Sequence, residues 1–172
     1  SFLVGHEGLV LSFEPHGPSY RAADQTIELN NLTNVRLEQR ALGAQRGYIS
    51  SAGRITASSA TVETVQQAGR APMATLDDIY QEHYEEITRK GLSIVKIDTD
   101  GFDVDVLAGA KRLFADHPDV AVIVEFLPNI QYGGQQGKVV LDRIESLGFQ
   151  LHAIQPAATP LSGDSQKQAF VD

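Results

Sequence analysis

The stretch that decides the fold runs from Ser93 to Ala110 and reads SIVKIDTDGFDVDVLAGA. Residues 93–98 predict a strand of a parallel sheet, and the residues after Gly101 predict a helix. An acidic turn that contains Asp98 and Asp100 joins the two elements. The predicted helix covers residues 104–115, since apolar side chains recur on one stripe at Val106, Leu107, Ala110, Leu113 and Phe114.

The rest of the chain repeats this alternation of strand and helix. Further strands are predicted at residues 9–13, 35–41, 120–126 and 149–154, and one more begins at 169–171. Helices are predicted after Ser19, after Thr75 as far as residue 88, and over residues 140–147 with Gly148 as the C-cap. Residues 43–74 are less regular and indicate a hairpin or loop excursion. The order predicts an α/β fold, a mostly parallel sheet with helices on both faces.

The bulk composition limits the possible functions. With 172 residues the chain suits one domain, and its formal charge of -8 without a basic patch excludes a nucleic acid or an anionic membrane as the expected partner. The absence of cysteine excludes disulfides and Cys-ligated metals. The longest apolar run, residues 120–124, is far shorter than the ~20 residues that span a bilayer. No signal-peptide pattern is present, so we expect a cytoplasmic location.

The ends of the predicted strands carry most of the residues suited to chemistry. In open parallel sheets, ligands bind beyond the carboxyl ends of the strands. Three of these ends are acidic, namely Glu14, the Asp98–Asp100 turn and Glu125, while Ala41-Leu42-Gly43 ends another strand. Each carboxylate alone could cap a helix or bind a backbone amide, but together they favour a site. Glu14 could accept hydrogen bonds from both hydroxyls of a ribose.

Several of these segments resemble the FkbM-type S-adenosylmethionine-dependent methyltransferases. The segments are FEPHGPSYRAADQTIELNNLTNVRLEQRALG, ATLDDI, IVKIDTDGFDVDVLAGA, VIVEF and VLDRIESLGFQL, in the order and at spacings similar to those of the family. KIDTDG followed by VLAGA, with TLDD upstream, is the most specific part. Asp100 and Asp103 stand where similar proteins often have Glu, so their carboxylates are retracted by one methylene.

The resemblance implies a Rossmann-like class I methyltransferase fold and methyl transfer from S-adenosylmethionine to a hydroxyl of a small molecule or sugar. It places Glu14 on the cofactor ribose and Pro15, Ala41 and Leu42 near the adenine. Asp98 would lie closest to the sulfonium and the acceptor. The family's first strand and glycine-rich loop precede the point that matches Ser1, so we expect this single methyltransferase-like domain to be N-terminally incomplete.

Methyl transfer to oxygen is a direct displacement, in which the protein aligns the reactants and removes the hydroxyl proton. Asp98 or Asp100 could be the base, or either could hold a divalent cation that acidifies the acceptor. The histidines show no metal-ligand spacing, and we interpret His16 as a turn residue. The identity of the acceptor depends on residues 43–74 and 127–137, whose composition gives no chemical hint. The oligomeric state is not predicted.

Two alternatives remain open from the sequence. Asp98-Thr99-Asp100 also suits a metal-dependent glycosyltransferase, in which an aspartate pair holds a cation and a sugar nucleotide. The second alternative is a non-catalytic methyltransferase-like domain that uses the fold for binding or assembly.

Overall fold

The computed structural model describes residues 2–50, 62–63, 69–126, 137–154 and 159–171. Its strands are β1 (Val10–Phe13), β2 (Val35–Glu38), β3 (Ala41–Leu42), β4 (Gly47–Ser50), β5 (Val62–Glu63), β6 (Arg70–Ala74), β7 (Ile94–Ile97), β8 (Ala121–Val124), β9 (His152–Ala153) and β10 (Thr159–Pro160). Its helices are α1 (Gly17–Leu29), α2 (Leu76–Glu82), α3 (Tyr84–Lys90), α4 (Asp103–Ala108), α5 (Lys111–Asp116), α6 (Gly137–Ser146) and α7 (Asp164–Val171). The α/β class expected from the sequence is confirmed.

Two parallel strand pairs carry the strand ends that the sequence singles out. β1 lies parallel to β2 with Val10 opposite Val35, and helix α1 connects them. β7 lies parallel to β8 with Ile97 opposite Val124, and helices α4 and α5 connect them. Each pair therefore forms from a contiguous strand–helix–strand segment, in which the chain must cross over to return parallel.

The irregular segment after Leu42 contributes an antiparallel hairpin-like excursion. In the four-stranded sheet of order β3-β6-β4-β5, strand β4 runs antiparallel to both β5 and β6. Strand β3 pairs parallel to β6, with Leu42 opposite Ala74. The hairpin or loop excursion predicted for residues 43–74 is thus confirmed for the described part, residues 43–50, 62–63 and 69–74.

The described strands form four separate hydrogen-bonded sheets, whereas a single mostly parallel sheet was expected. Among these strands, β1 pairs only with β2 and β7 pairs only with β8. The predicted strand over residues 35–41 is divided between β2 and β3, which belong to different sheets. The alternation of side chains in the sequence could not reveal this division, because it continues on both sides of the break.

The main hydrophobic core lies under the helices that follow β6 and β7. The stripe predicted from the sequence is buried there, and Val106, Leu107, Ala110 and Leu113 are all within the core cluster. Phe114 is partly buried against the same cluster and packs edge-on against Phe149, with ring centroids 4.9 Å apart. Leu11 of β1, Val95 of β7 and Val122 of β8 pack against this cluster too, so one core supports both parallel pairs.

Gly109 divides the helix that the sequence predicts over residues 104–115 into α4 and α5. A Cβ at Gly109 would lie 2.2 Å from the carbonyl oxygen of Gly43, so the two chain segments are in direct backbone contact. The Gly109 carbonyl also accepts a hydrogen bond from the Asp77 N–H at 2.9 Å. That carbonyl is directed outside the helix, and the helix therefore stops there.

Three other boundaries differ from the sequence-based expectation. The helix predicted to run to residue 88 is interrupted at His83, and the strand predicted over residues 149–154 is limited to β9. The prediction of a strand at residues 169–171 is wrong, because these residues lie in α7. A short apolar run does not distinguish a strand from the end of a helix. The Gly148 cap is confirmed, since this residue has a φ of +97° just after α6.

Arginines from the β2–β4 region pair with acidic side chains on α2 and α3. Asp78 and Glu82 are four residues apart on α2 and share one face of that helix, and Glu86 lies on α3. The pairs are Arg36 with Glu86 at 2.6 Å, Arg40 with Glu82 at 2.9 Å and Arg46 with Asp78 at 2.5 Å.

The helices of the described ranges have at most 13 residues. None of them is both long enough and apolar enough to cross a membrane.

Candidate functional site

The carboxyl ends of β7 and β8 bring two acidic residues side by side. Ile97 is opposite Val124 in the parallel pair, and the next residues are Asp98 and Glu125. The Glu125 N–H donates to the Ile97 carbonyl at 3.1 Å, so the register continues to this point. Side chains at matching positions of neighbouring strands lie on the same face of the sheet. The Asp98 and Glu125 carboxylates therefore share one exposed edge.

The charges around this pair determine which carboxylate holds a proton more firmly. Lys96 Nζ donates to Asp98 Oδ2 at 2.5 Å, and this bond, followed by a hydrogen bond from Glu125, lowers the pKa of Asp98. The hydrogen bond with Asp98 raises the pKa of Glu125, and the negative charges of Asp98 and Asp100 raise it further. When the two side chains share one proton, it therefore resides preferentially on Glu125, which leaves Asp98 as the ionised member of the pair.

The turn after Asp98 has an unusual backbone. Asp100 has a φ of +50°, a left-handed conformation that is uncommon for a residue other than glycine, and Gly101 follows with a φ of +107°. Asp103 is only 2% exposed and accepts backbone hydrogen bonds from Thr99 and from Gly101, both at 3.2 Å. The Thr99 hydroxyl oxygen is buried and makes no hydrogen bond within the described part of the chain.

Glu14 lies at the carboxyl end of β1, as expected for a strand-end acid. Its N–H donates to the Glu38 carbonyl at 3.1 Å, which continues the β1–β2 register beyond Phe13. Its Oε1 accepts a hydrogen bond from the His16 N–H at 2.8 Å, across the intervening Pro15. The turn that follows β1 therefore orients the Glu14 carboxylate. The His16 ring contacts Ser19 Oγ at 2.9 Å. This local contact agrees with the interpretation of His16 as a turn residue.

Ala41 and Leu42 form strand β3 soon after β2 ends. The Ala41 side chain is 5% exposed and packs in a second hydrophobic cluster with Ile49, Ala71 and Met73. Leu42 is partly buried and packs against the main core. The Ala41 side chain is therefore buried in the protein interior. A ligand at this strand end would contact chiefly the backbone and the partly exposed Leu42.

The structure thus groups the predicted site residues at two strand ends. Glu14 and Pro15 follow β1, beside the end of β2, and Asp98 and Asp100 follow β7, beside the end of β8. Glu125 is recognisable from the sequence as a strand-end acid, but its role in the site is not. Only the register of β7 against β8 shows that Glu125 is the partner of Asp98. The burial of Asp103 also had no signal in the sequence.

A separate open cavity of about 520 Å³ lies between β4, β6 and α2. Its lining residues are Arg40, Arg46, Gly47, Tyr48, Pro72, Met73, Ala74, Asp78 and Glu82, and none of these is a predicted site residue. Its arginines are paired with its acidic residues. We therefore place the candidate site at the strand ends, where the Asp98 and Glu125 side chains are exposed, rather than in this cavity.

A metal site would need a group of ligating side chains placed close together. Across residues 2–50, 62–63, 69–126, 137–154 and 159–171, no group of three or more His, Asp or Glu side chains is arranged to hold one.

Comparisons with known proteins identify the family. No curated protein and no solved structure matches the chain. The family model described as the methyltransferase FkbM domain matches residues 1–151, a range that includes both strand ends, the Asp98–Gly101 turn and helix α6. The match covers most of the chain and confirms the resemblance noted in its motifs. The chain therefore belongs to the FkbM methyltransferase family.

Proposed function

We propose that this protein is an S-adenosylmethionine-dependent methyltransferase that methylates a hydroxyl of a small molecule or sugar from a single Rossmann-like class I domain. The observation that carries the proposal is the Asp98 carboxylate, bonded to Lys96 at the carboxyl end of β7, in a chain of the FkbM methyltransferase family. The two parallel strand–helix–strand segments support the Rossmann-like fold.

The residues at the β1 end suit the nucleoside part of the cofactor. The Glu14 carboxylate is held through Oε1 by the His16 N–H, and a ribose diol would donate its hydrogen bonds to this carboxylate. Pro15 and the β3 residues Ala41 and Leu42 would border the adenine. When bound, S-adenosylmethionine supplies a methyl group that its sulfonium has already activated.

Asp98 is the residue best suited to take the acceptor's proton. Lys96 lowers the pKa of Asp98, which keeps this carboxylate ionised at neutral pH. With the cofactor supplying the activated methyl group, Asp98 would accept the proton that the acceptor hydroxyl loses as it is methylated. Asp100 lies on the same turn and would hold the acceptor in line through a hydrogen bond.

The two alternatives differ from this proposal in the ligands they require. Family membership favours the methyltransferase over a metal-dependent glycosyltransferase that uses Asp98-Thr99-Asp100. A thermal-shift comparison separates them, because S-adenosylhomocysteine should raise the melting temperature of a methyltransferase. Stabilisation by UDP with Mn²⁺ alone would support the glycosyltransferase, and no response to either ligand would support a non-catalytic domain.

Asp98→Asn in the full-length protein tests the catalytic assignment directly. We expect it to lower kcat by about 10²–10⁴-fold, the usual contribution of a positioned general base, with the fold intact. Asp119→Asn is the matched control, because Asp119 is an exposed aspartate remote in sequence from the strand end. Methyl transfer would be followed with a labelled methyl donor. A variant that retains full turnover would reduce Asp98 to a structural partner of Lys96.

A further inference from the structure

We propose that Asp103 is a positioning residue that braces the Asp98–Gly101 turn and so presents Asp98 and Asp100 to the reacting groups. This inference rests on the proposed function for its catalytic consequence. The brace consists of the two hydrogen bonds that the Asp103 carboxylate accepts from the Thr99 and Gly101 amides. It is a structural property that can be measured independently of turnover.

The environment of Asp103 shows that its carboxylate is committed to the turn. The residue is 2% exposed, and each of its two oxygens accepts one backbone N–H. Oδ1 binds the Thr99 N–H and Oδ2 binds the Gly101 N–H, both at 3.2 Å. A buried carboxylate is unfavourable unless such donors compensate its lost hydration, so both bonds are needed.

The bonds point backward along the chain, away from the helix that Asp103 begins. The N-cap side chain of a helix usually accepts bonds from the helix's own N-terminal amides. Here both donors precede α4, and the N-cap residue Phe102 makes no side-chain cap bond. The carboxylate therefore serves the preceding turn rather than capping the helix.

The turn needs such a brace because part of its backbone is strained. Asp100 has a φ of +50°, and a non-glycine residue in this region persists only where its surroundings hold it. The two braced amides, of Thr99 and Gly101, lie on either side of Asp100. Asp103 thus fixes the backbone that orients the Asp100 side chain and that leaves Asp98 at the end of β7.

Asp103→Asn is the sharpest perturbation, because it preserves size and removes one acceptor. The amide oxygen can accept one of the two N–H groups, while its NH₂ group faces the other donor. Asp77→Asn is a matched control, since Asp77 also accepts two backbone N–H groups, from Arg112 and Leu113. Asp103→Glu restores the carboxylate and should recover part of the lost function.

The experiment has two measurements on the full chain. Amide exchange by NMR should accelerate at Thr99 and Gly101 in Asp103→Asn by at least tenfold relative to wild type, and Asp77→Asn should leave both amides unchanged. In turnover assays Asp103→Asn should lower kcat about 10–100-fold, with little change in the KM for the methyl donor. In the Asp98→Asn background, the additional loss should be smaller than in the wild-type background, because the part of the effect that acts through Asp98 is already lost.

The outcomes separate the inference from the proposed function. Unchanged exchange at Thr99 and Gly101 in Asp103→Asn would overturn the brace, whether or not the protein methylates anything. Equal losses of kcat in Asp103→Asn and Asp77→Asn, compared at equal fractions of folded protein, would overturn the positioning role. A wild-type protein that neither binds S-adenosylhomocysteine nor turns over would overturn the proposed function, while accelerated exchange would still support the brace.

Discussion

Replacing Gly109 with alanine tests the contact between the VLAGA segment and the loop after β3. Gly109 has a φ of -84°, which alanine adopts easily, so the effect of the substitution should be steric. The new Cβ would lie 2.2 Å from the Gly43 carbonyl oxygen and 3.2 Å from the Thr75 Cβ. The Gly43 oxygen is a backbone atom and cannot move away by rotating a side chain.

The size of this effect follows from the distance. The gap is about 1.2 Å short of the 3.4 Å at which ordinary contact begins, so one of the two backbones must be displaced. Overpacking of a buried site typically costs about 1–3 kcal/mol, and the rigidity of both backbones places Gly109→Ala near the upper value. For a domain of this size, about 3 kcal/mol corresponds to a fall in Tm of roughly 6–12 °C.

Gly163→Ala is the matched control for this prediction. It makes the same chemical change at a glycine with no heavy atom within 4 Å of the added Cβ and with no positive φ. We expect its free energy of unfolding to be unchanged or raised by up to about 1 kcal/mol. Both variants would be measured by urea and thermal denaturation. If Gly109→Ala were within about 0.5 kcal/mol of Gly163→Ala, the contact with Gly43 would not exist as described.

Two further predictions concern the start of α2. Thr75→Ala removes the oxygen that accepts the Asp78 N–H at 3.1 Å and should lower the free energy of unfolding by about 1 kcal/mol, whereas Thr75→Ser should retain most of it in urea denaturation. The Arg46 guanidinium holds the pKa of Asp78 well below its usual 3.8. The Arg46–Asp78 pair therefore contributes its full stabilisation above pH 3.8, and that stabilisation is lost as the pH falls below this value. The stability difference between wild type and Arg46→Met should therefore shrink on acidification through pH 3.8, and a constant difference would contradict the pairing.

Features set by local sequence were predictable. The Thr75 cap forms a full capping box with Asp78, and the Gly148 cap ends α6 with a positive φ, because both depend on residues within one helical turn. The stripe from Val106 to Phe114 was also predicted correctly although the helix is broken within it. Each half retains the same buried face, so the periodicity survives the break at Gly109.

Features that depend on distant contacts were not predictable from one sequence. The break at Gly109 depends on Gly43, and the pairing of Glu86 depends on Arg36, fifty residues away. In the candidate site, the strand-end positions of Glu14 and Asp98 follow from local pattern. The pairing of Asp98 with Glu125 requires the β7–β8 register, and the burial of Asp103 requires the packed core.

The division of the parallel strands into two pairs has a consequence for how the molecule opens. Within the described ranges, no strand-to-strand hydrogen bond joins the β1–β2 pair to the β7–β8 pair, and each pair forms within a contiguous stretch of chain. Their cooperativity therefore depends on side-chain packing in the shared core, through residues such as Leu11 and Val95. Such units can open as separate foldons. The two halves of the candidate site would then lose order independently, and each would report the local stability of its own strand pair.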